Sequence, residues 1–129
     1  MTPAQFRKIS ILAAECADQK KAEEILLLDL RSAEGSISDF LLILTANSTV
    51  HMEALDEFIL DTLDEIGIHP VHRDGTRSEH WKVLDYGGFM VHVFHQDYRS
   101  FYSLERLWEE AKEIKWKKEI DSPKIKKKR

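Results

Sequence analysis

The chain contains very little cysteine, proline and glycine. Of its 129 residues, one is cysteine, three are proline and five are glycine. Because Cys16 stands alone, an internal disulfide and a cysteine-rich zinc site are excluded, and we expect a small buried core residue there. No apolar run approaches the roughly 18 residues of a membrane helix, and the first residues lack the shape of a signal peptide. The sequence predicts one globular domain in the cytoplasm.

Acidic and basic residues are divided unevenly along the chain. The formal net charge is −4, but residues 112–129 contain nine Lys or Arg and three acids, so residues 1–111 carry −10. An acidic body favours a basic protein as partner. The lysine-rich end after Pro123 is predicted to be disordered, and it either solubilises the protein or contacts RNA. We predict a domain over residues 1–111, and a helix end with a basic tail over residues 112–129.

Two nearly continuous apolar segments predict strands that are covered on both faces. They are EILLLDL at residues 24–30 and DFLLILT at residues 39–45. The eight residues between them are too few for a helical crossover, so we expect antiparallel pairing. HPVHR at residues 69–73 predicts a short strand near an edge of the sheet, because Pro70 cannot donate a backbone hydrogen bond.

Helices are predicted before, between and after the strands. Thr2, Pro3 and Gln5 form a helix start with a capping box. A second helix is predicted to begin near residue 48 and to end at Gly67, and apolar spacing predicts a third from Phe101 to about residue 114. The fold class is α/β (α+β), with a single mixed β-sheet of about five strands flanked by helices.

Residues 81–94, WKVLDYGGFMVHVF, predict a hairpin. The glycines in its turn accept positive φ. Alternation along the first strand places Trp81, Val83 and Asp85 on one face. A tryptophan at the start of a strand either covers the edge of the core or anchors an interface, and the sequence leaves both readings open.

The six histidines do not predict a metal site. The HPVH and HVFH pairs are spaced three residues apart, so on strands their side chains point to opposite faces. We therefore expect His92, which lies between two valines, to be a hydrogen-bonded histidine of the core or of a cleft.

The order of elements also permits a nucleotidyltransferase-like topology. That chemistry needs two carboxylates on alternate residues of one strand, where both can hold divalent cations. Asp39 is followed at position 41 by leucine, so the second ligand is missing. A pair assembled from Asp29 and Asp85 on different strands stays open. We predict this topology without the catalytic carboxylate pair, and a protein that is not an enzyme and binds no cofactor.

The order of motifs resembles the ribosomal silencing factor family, also called the Iojap family. The resemblance covers about residues 5–110. It is carried by DL and SDF at residues 29–30 and 38–40, Asp-Gly at 74–75, W-x-x-x-D-Y-G at 81–87, VHVF at 91–94 and R-x-F-Y-x-L-E-x-L-W at 99–108. Two positions depart from the family pattern: Asp74 stands where glutamate is usual, and Gly88 where an acid is common.

The resemblance implies a translational repressor. Such a factor binds the large ribosomal subunit at its fourteenth protein and excludes the small subunit when nutrients are scarce. The partner-binding residues implied are Trp81, Asp85, Tyr86, His92, Arg99, Tyr102 and Glu105. Two alternatives stay open, namely a divergent metal-dependent nucleotidyl-transferring enzyme and an RNA-binding adaptor acting through the basic tail. Contact of that tail with ribosomal RNA, and a homodimer of the free protein, also stay open.

Overall fold

A computed structural model gives the fold of residues 1–33, 35–36, 38–102 and 111–117, with the backbone alone at residues 100–102. The elements in chain order are α1 (Pro3–Gln19), β1 (Glu23–Asp29), β2 (Phe40–Ala46), α2 (Thr49–Glu65), β3 (His72–Asp74), β4 (Trp81–Asp85), β5 (Phe89–His95), α3 (Gln96–Tyr102) and β6 (Lys112–Glu113). Among these residues, no helix combines the length and the hydropathy that a membrane span requires.

The strands form one mixed sheet in the order β3-β4-β5-β2-β1-β6. The central strands β2 and β5 are parallel. Every other neighbouring pair in this sheet is antiparallel. The predicted mixed sheet is confirmed, as are the antiparallel pairing of β1 with β2 and the position of β3 at an edge.

The segment after α3 differs from the prediction. Apolar spacing predicts helix through Ala111 and Ile114, but Lys112 and Glu113 form β6, which pairs with Asp29 and Leu28 of β1. The backbone N–H of Ile114 donates to the carbonyl of Leu27 at 2.8 Å. The exposed edge of β1 supplies these hydrogen bonds, and such tertiary pairing overrides a weak local helix preference. Residues 112–113 are thus strand and not a helix end, and the sheet has six strands.

The two faces of the sheet are covered differently. Helices α1 and α2 pack on one face, here called the helix face, against side chains of the central strands such as Phe40, Phe89 and Val91. On the opposite face, here called the second face, a smaller buried cluster includes Leu41, Ile43 and Phe94. Strand β2 is buried along its whole length, as predicted. Strand β1 is not, because it begins with the exposed pair Glu23 and Glu24.

Local signals in the sequence account for the ends of the helices and for the hairpin turn. The capping box of α1 is present, with the Gln5 N–H donating to Thr2 Oγ1 at 3.2 Å and the Thr2 N–H donating to Gln5 Oε1 at 2.7 Å. In the turn between β4 and β5, Gly87 has φ +89°. A Cβ on Gly88 would lie 2.4 Å from the Phe6 ring, so α1 packs directly on the turn backbone.

Candidate partner-binding surface

The paired strands β3 and β4 place a group of polar and aromatic side chains on the second face. His72 lies opposite Asp85, and Asp74 lies opposite Val83. Cross-strand partners share a face, and so do alternate residues of one strand. His72, Asp74, Trp81, Val83 and Asp85 therefore form one surface, here called the β3–β4 surface. All five side chains are exposed or partly exposed, whereas their neighbours on β5 are mostly buried.

Trp81 is held in one orientation on this surface. Its indole Nε1–H donates to His92 Nδ1 at 2.8 Å. Its ring stacks on Phe94 with a centroid separation of 5.1 Å and an interplanar angle of 23°. The indole is partly exposed and already fixed before any partner arrives. An ordered, partly exposed tryptophan has the properties of an interface anchor.

His92 supports Trp81 from within the sheet. The imidazole is 4% exposed. Because Nδ1 accepts from the indole, the neutral ring carries its proton on Nε2, which has no hydrogen-bond partner among the residues described here. Burial lowers the pKa of His92 from its ordinary value of 6.5 to about 4, and the carboxylate of Asp85 opposes this shift weakly. His92 therefore stays neutral near pH 7 and acts as a hydrogen-bond acceptor.

Acid should destabilise the protein through His92. Its pKa is lower in the folded state than in the unfolded state, so the unfolded chain binds the extra proton between about pH 6.5 and pH 4. The stabilisation is complete above pH 6.5 and is lost as the pH falls through this window. Between pH 7.5 and pH 5, we expect the free energy of unfolding of the wild type to fall by about 2 kcal/mol more than that of His92→Gln. Urea unfolding at both pH values measures this difference. An equal decrease in the free energy of unfolding for the two proteins would contradict the prediction.

The loop between β3 and β4 is fixed against β4. Gly75 has φ +66°, and a Cβ there would lie 2.2 Å from the carbonyl oxygen of Trp81. Lys82, which is 3% exposed on the helix face, donates from Nζ to the carbonyl of Thr76 at 2.6 Å. Ser78 Oγ accepts from the backbone N–H groups of His80 at 3.1 Å and Trp81 at 3.2 Å. These contacts hold the loop beside the β3–β4 surface.

A pocket of about 230 Å³ lies where this loop meets β4. It is lined by Asp74, Gly75, Ser78, His80, Trp81 and Val83. His80 is itself stacked on Tyr98 of α3, with a centroid separation of 3.8 Å. The pocket therefore lies between the loop and the β3–β4 surface, and α3 supports one of its lining residues, His80.

Comparison with known proteins identifies the family. The family described as ribosomal silencing factor during starvation matches residues 3–129. The chain belongs to the ribosomal silencing factor family. It is 39% identical over 105 residues to the ribosomal silencing factor of Bacillus subtilis, which covers 81% of this chain and 88% of that one. It is also 30% identical over 111 residues to the chloroplastic protein Iojap of Zea mays, covering 86% of this chain and 48% of the maize protein.

Solved structures give the same result for the fold. A crystal structure of a Chromobacterium violaceum protein matches with a TM-score of 0.75 and 31% identity, covering 81% of this chain and 86% of that one. The predicted family and fold class are thus confirmed. The role of the protein is that of a ribosomal silencing factor, which is a regulator of translation. The family is named for regulation and not for catalysis.

The structure separates the seven motif residues that the resemblance implies. Trp81 and Asp85 lie on the β3–β4 surface, with His92 directly behind Trp81. Tyr86 lies on the helix face instead, 4% exposed, and burial raises the pKa of its hydroxyl. The side chain of Tyr102 and all of Glu105 lie outside the described residues.

Arg99 is also placed inside the molecule. It is 7% exposed. Its Nη1 donates to Thr45 Oγ1 of β2 and to the backbone carbonyl of Glu24 at 3.4 Å. Arg99 therefore ties α3 to β1 and β2 on the second face. Tyr86 likewise packs inside the molecule, where its ring stacks on Phe89 at a centroid separation of 5.8 Å.

Two of the three aspartates considered for catalysis, Asp29 and Asp85, have other partners. Asp29 pairs with Arg31 at 2.7 Å, and the hydrogen bond from Arg31 lowers the pKa of Asp29. Asp85 Oδ1 accepts from the backbone N–H of Gly87 at 2.8 Å, within the hairpin turn. Across residues 1–33, 35–36, 38–102 and 111–117, no three His, Cys, Asp or Glu side chains are grouped to hold a metal ion.

Sequence reasoning missed two residues of this region, Asp74 and His80, whereas alternation along β4 had already placed Val83 on the same face as Trp81. Asp74, His80 and Val83 line the pocket, and none of them is among the residues that the resemblance implies. Asp74 joins Val83 through the β3–β4 register, and His80 joins through its stacking on Tyr98. Both contacts connect separate segments, so spacing along the chain gives no signal for them. The Asp-Gly motif at residues 74–75 is the one signal that marks this loop.

Proposed function

We propose that the protein binds the large ribosomal subunit at its fourteenth protein, through the β3–β4 surface, and thereby prevents the small subunit from docking. One observation carries the proposal: Trp81 is fixed by His92 and Phe94 yet partly exposed, on a surface that also contains Asp74 and Asp85. Family membership supports a ribosomal partner. The protein would act in the cytoplasm, where bacterial ribosomes assemble.

The charge of the body supports a basic ribosomal protein as the contact. Residues 1–111 carry a net charge of −10. Such a field speeds the approach of a positively charged surface and repels exposed ribosomal RNA. The aromatic side chain would supply most of the affinity, while the acidic side chains would set orientation and association rate. A standard interface buries about 800 Å² on each partner, so one face of this domain is sufficient.

Steric exclusion needs no catalytic group. A factor that occupies the docking face of the large subunit represses translation through affinity and bulk alone. The proposal therefore assigns contact roles to Trp81 and Asp85 and a supporting role to His92. It assigns packing roles to Tyr86 and Arg99, which are both less than 10% exposed.

Sedimentation with purified ribosomal subunits tests the proposal. We expect the protein to pellet with large subunits, to remain in the supernatant with small subunits, and to reduce the formation of joined ribosomes as its concentration rises. Equal pelleting with both subunits would show that binding is not selective. Unchanged joining at saturating protein would show that the bound factor does not occlude the docking face.

The basic tail provides a separate prediction. Deletion of residues 122–129 removes Lys124, Lys126, Lys127, Lys128 and Arg129 and no acid. If the tail adds nonspecific attraction to ribosomal RNA, affinity for large subunits should fall modestly and its dependence on salt concentration should become shallower. Binding measured from 50 to about 200 mM salt gives both quantities. Complete loss of binding would make the tail the primary site.

A further inference from the structure

The pocket beside Trp81 has features that the proposed function does not use. Its volume of about 230 Å³ is below the range of about 300–1,000 Å³ that is typical of sites for drug-sized ligands and cofactors. A space of this size suits a single side chain of a partner protein. Its lining residues include the aromatic Trp81, the apolar Val83 and one acidic residue, Asp74.

The walls of the pocket are set before any ligand arrives. Gly75 brings the loop backbone against the Trp81 carbonyl, closer than any residue with a Cβ could come. Lys82 holds the same loop from the opposite face of β4, through its hydrogen bond to Thr76. Trp81 is fixed by His92, and His80 by stacking on Tyr98. Because the walls need little ordering on binding, the entropic cost of occupying the pocket is small.

The chemistry of the lining selects the occupant. A long side chain can lay its methylene groups against Trp81 and Val83, and a positive end can then reach the carboxylate of Asp74. The face of an indole also attracts a cation. An acidic side chain or a phosphate would instead meet Asp74 and the net charge of −10 on residues 1–111.

We infer that this pocket receives one lysine or arginine side chain of the basic partner protein, with its charged end paired to Asp74. This inference rests on the proposed function for the identity of the partner, and it assigns to Asp74 the role of selecting a cationic side chain. Asp74 Oδ1 already accepts from the backbone N–H of Gly75 at 2.8 Å, which fixes the carboxylate near the pocket.

Titration with a small probe tests the pocket without the ribosome. The full chain, labelled with ¹⁵N, is titrated with N-acetyl-arginine amide and, separately, with N-acetyl-citrulline amide, which has nearly the same shape and no charge. We expect saturable shifts of the Trp81 indole N–H and the Gly75 amide with the arginine probe, and much smaller shifts with citrulline. Equal responses to the two probes, or shifts that map elsewhere, would overturn the inference.

A matched pair of variants tests the same contact on the ribosome. Asp74→Asn removes the charge and keeps an oxygen that accepts the Gly75 N–H, whereas Asp61→Asn removes one charge from the exposed side of α2. We expect Asp74→Asn to weaken binding to large subunits about three- to tenfold, mainly through faster dissociation, and Asp61→Asn to change it less than about twofold. Equal effects of the two variants would show that only the net charge matters.

The two experiments separate this inference from the proposed function. If the wild type fails to bind large subunits but discriminates arginine from citrulline, the proposed partner is wrong and the pocket assignment stands. If large subunits bind and are occluded while Asp74→Asn behaves like Asp61→Asn, the partner is right and the pocket assignment is wrong.

Discussion

Replacement of Trp81 by alanine should weaken binding to the large ribosomal subunit by about 2 kcal/mol or more, which is roughly thirtyfold in affinity. The indole is the largest partly exposed side chain of the β3–β4 surface, and its contacts with His92 and Phe94 fix it in place. Its removal takes away the anchor and one wall of the pocket. Sedimentation or surface binding with purified large subunits measures the change.

The same replacement should also lower stability, because Trp81 packs on the second face. Loss of its stacking on Phe94 and exposure of His92 should reduce the free energy of unfolding by about 1–3 kcal/mol, less than for a fully buried tryptophan. Trp81→Phe is the matched control, since it keeps an aromatic ring beside Phe94 while it removes the N–H donor and part of the aromatic surface of the indole. Normal binding by a folded Trp81→Ala protein would place the interface on another part of the molecule.

The elements with strong local signals could be predicted from the sequence. The hairpin of β4 and β5 follows from alternating apolar residues around a turn that requires positive φ at Gly87. The pairing of β1 with β2 follows from a connection too short for a crossover. A short strand at an edge was also predicted correctly, although β3 begins at His72, three residues later than predicted, and Pro70 lies before it. In each case the residues that give the signal lie within the predicted element or directly beside it.

The features that sequence reasoning missed depend on contacts that form only after the chain has folded. Strand β6 forms because the edge of β1 offers it backbone hydrogen bonds. The sequence of residues 111–114 does not itself indicate that this edge is available. Lys82 lies on the helix face and is 3% exposed, and a lysine at a buried position is unusual unless its ammonium has partners. The carbonyl of Thr76, at 2.6 Å, becomes a partner only after the loop has folded back.

For the candidate surface, too, some residues could be predicted from the sequence and others could not. Trp81 and Asp85 were implied by motif positions, and the structure places both on the β3–β4 surface. Tyr86 and Arg99 occupy equally specific motif positions but lie inside the domain. A motif position indicates that a residue is important, but it does not distinguish a residue that packs in the core from one that contacts a partner. Only the register of β3 with β4 adds Asp74 to this surface, because the two strands are separated along the chain by a loop.

Gly75→Ala should be among the most destabilising single substitutions in the loop before β4. A Cβ at this position would lie 2.2 Å from the Trp81 carbonyl oxygen, and the backbone has φ +66°. Backbone strain of this kind costs about 1–2 kcal/mol, and a clash with a fixed backbone adds about 1–3 kcal/mol. We therefore expect the free energy of unfolding to fall by about 3 kcal/mol, as measured by urea unfolding.

Gly87→Ala is the control for this substitution. Gly87 also has positive φ, at +89°, but a Cβ there would meet no atom within 4 Å. Its cost should be the strain alone, about 1–2 kcal/mol. The clash in Gly75→Ala must also displace the loop or the backbone of Trp81, so that variant should lose affinity for the large subunit while Gly87→Ala retains it. Equal stability and equal binding of the two variants would show that the loop does not hold Trp81 and the pocket in place.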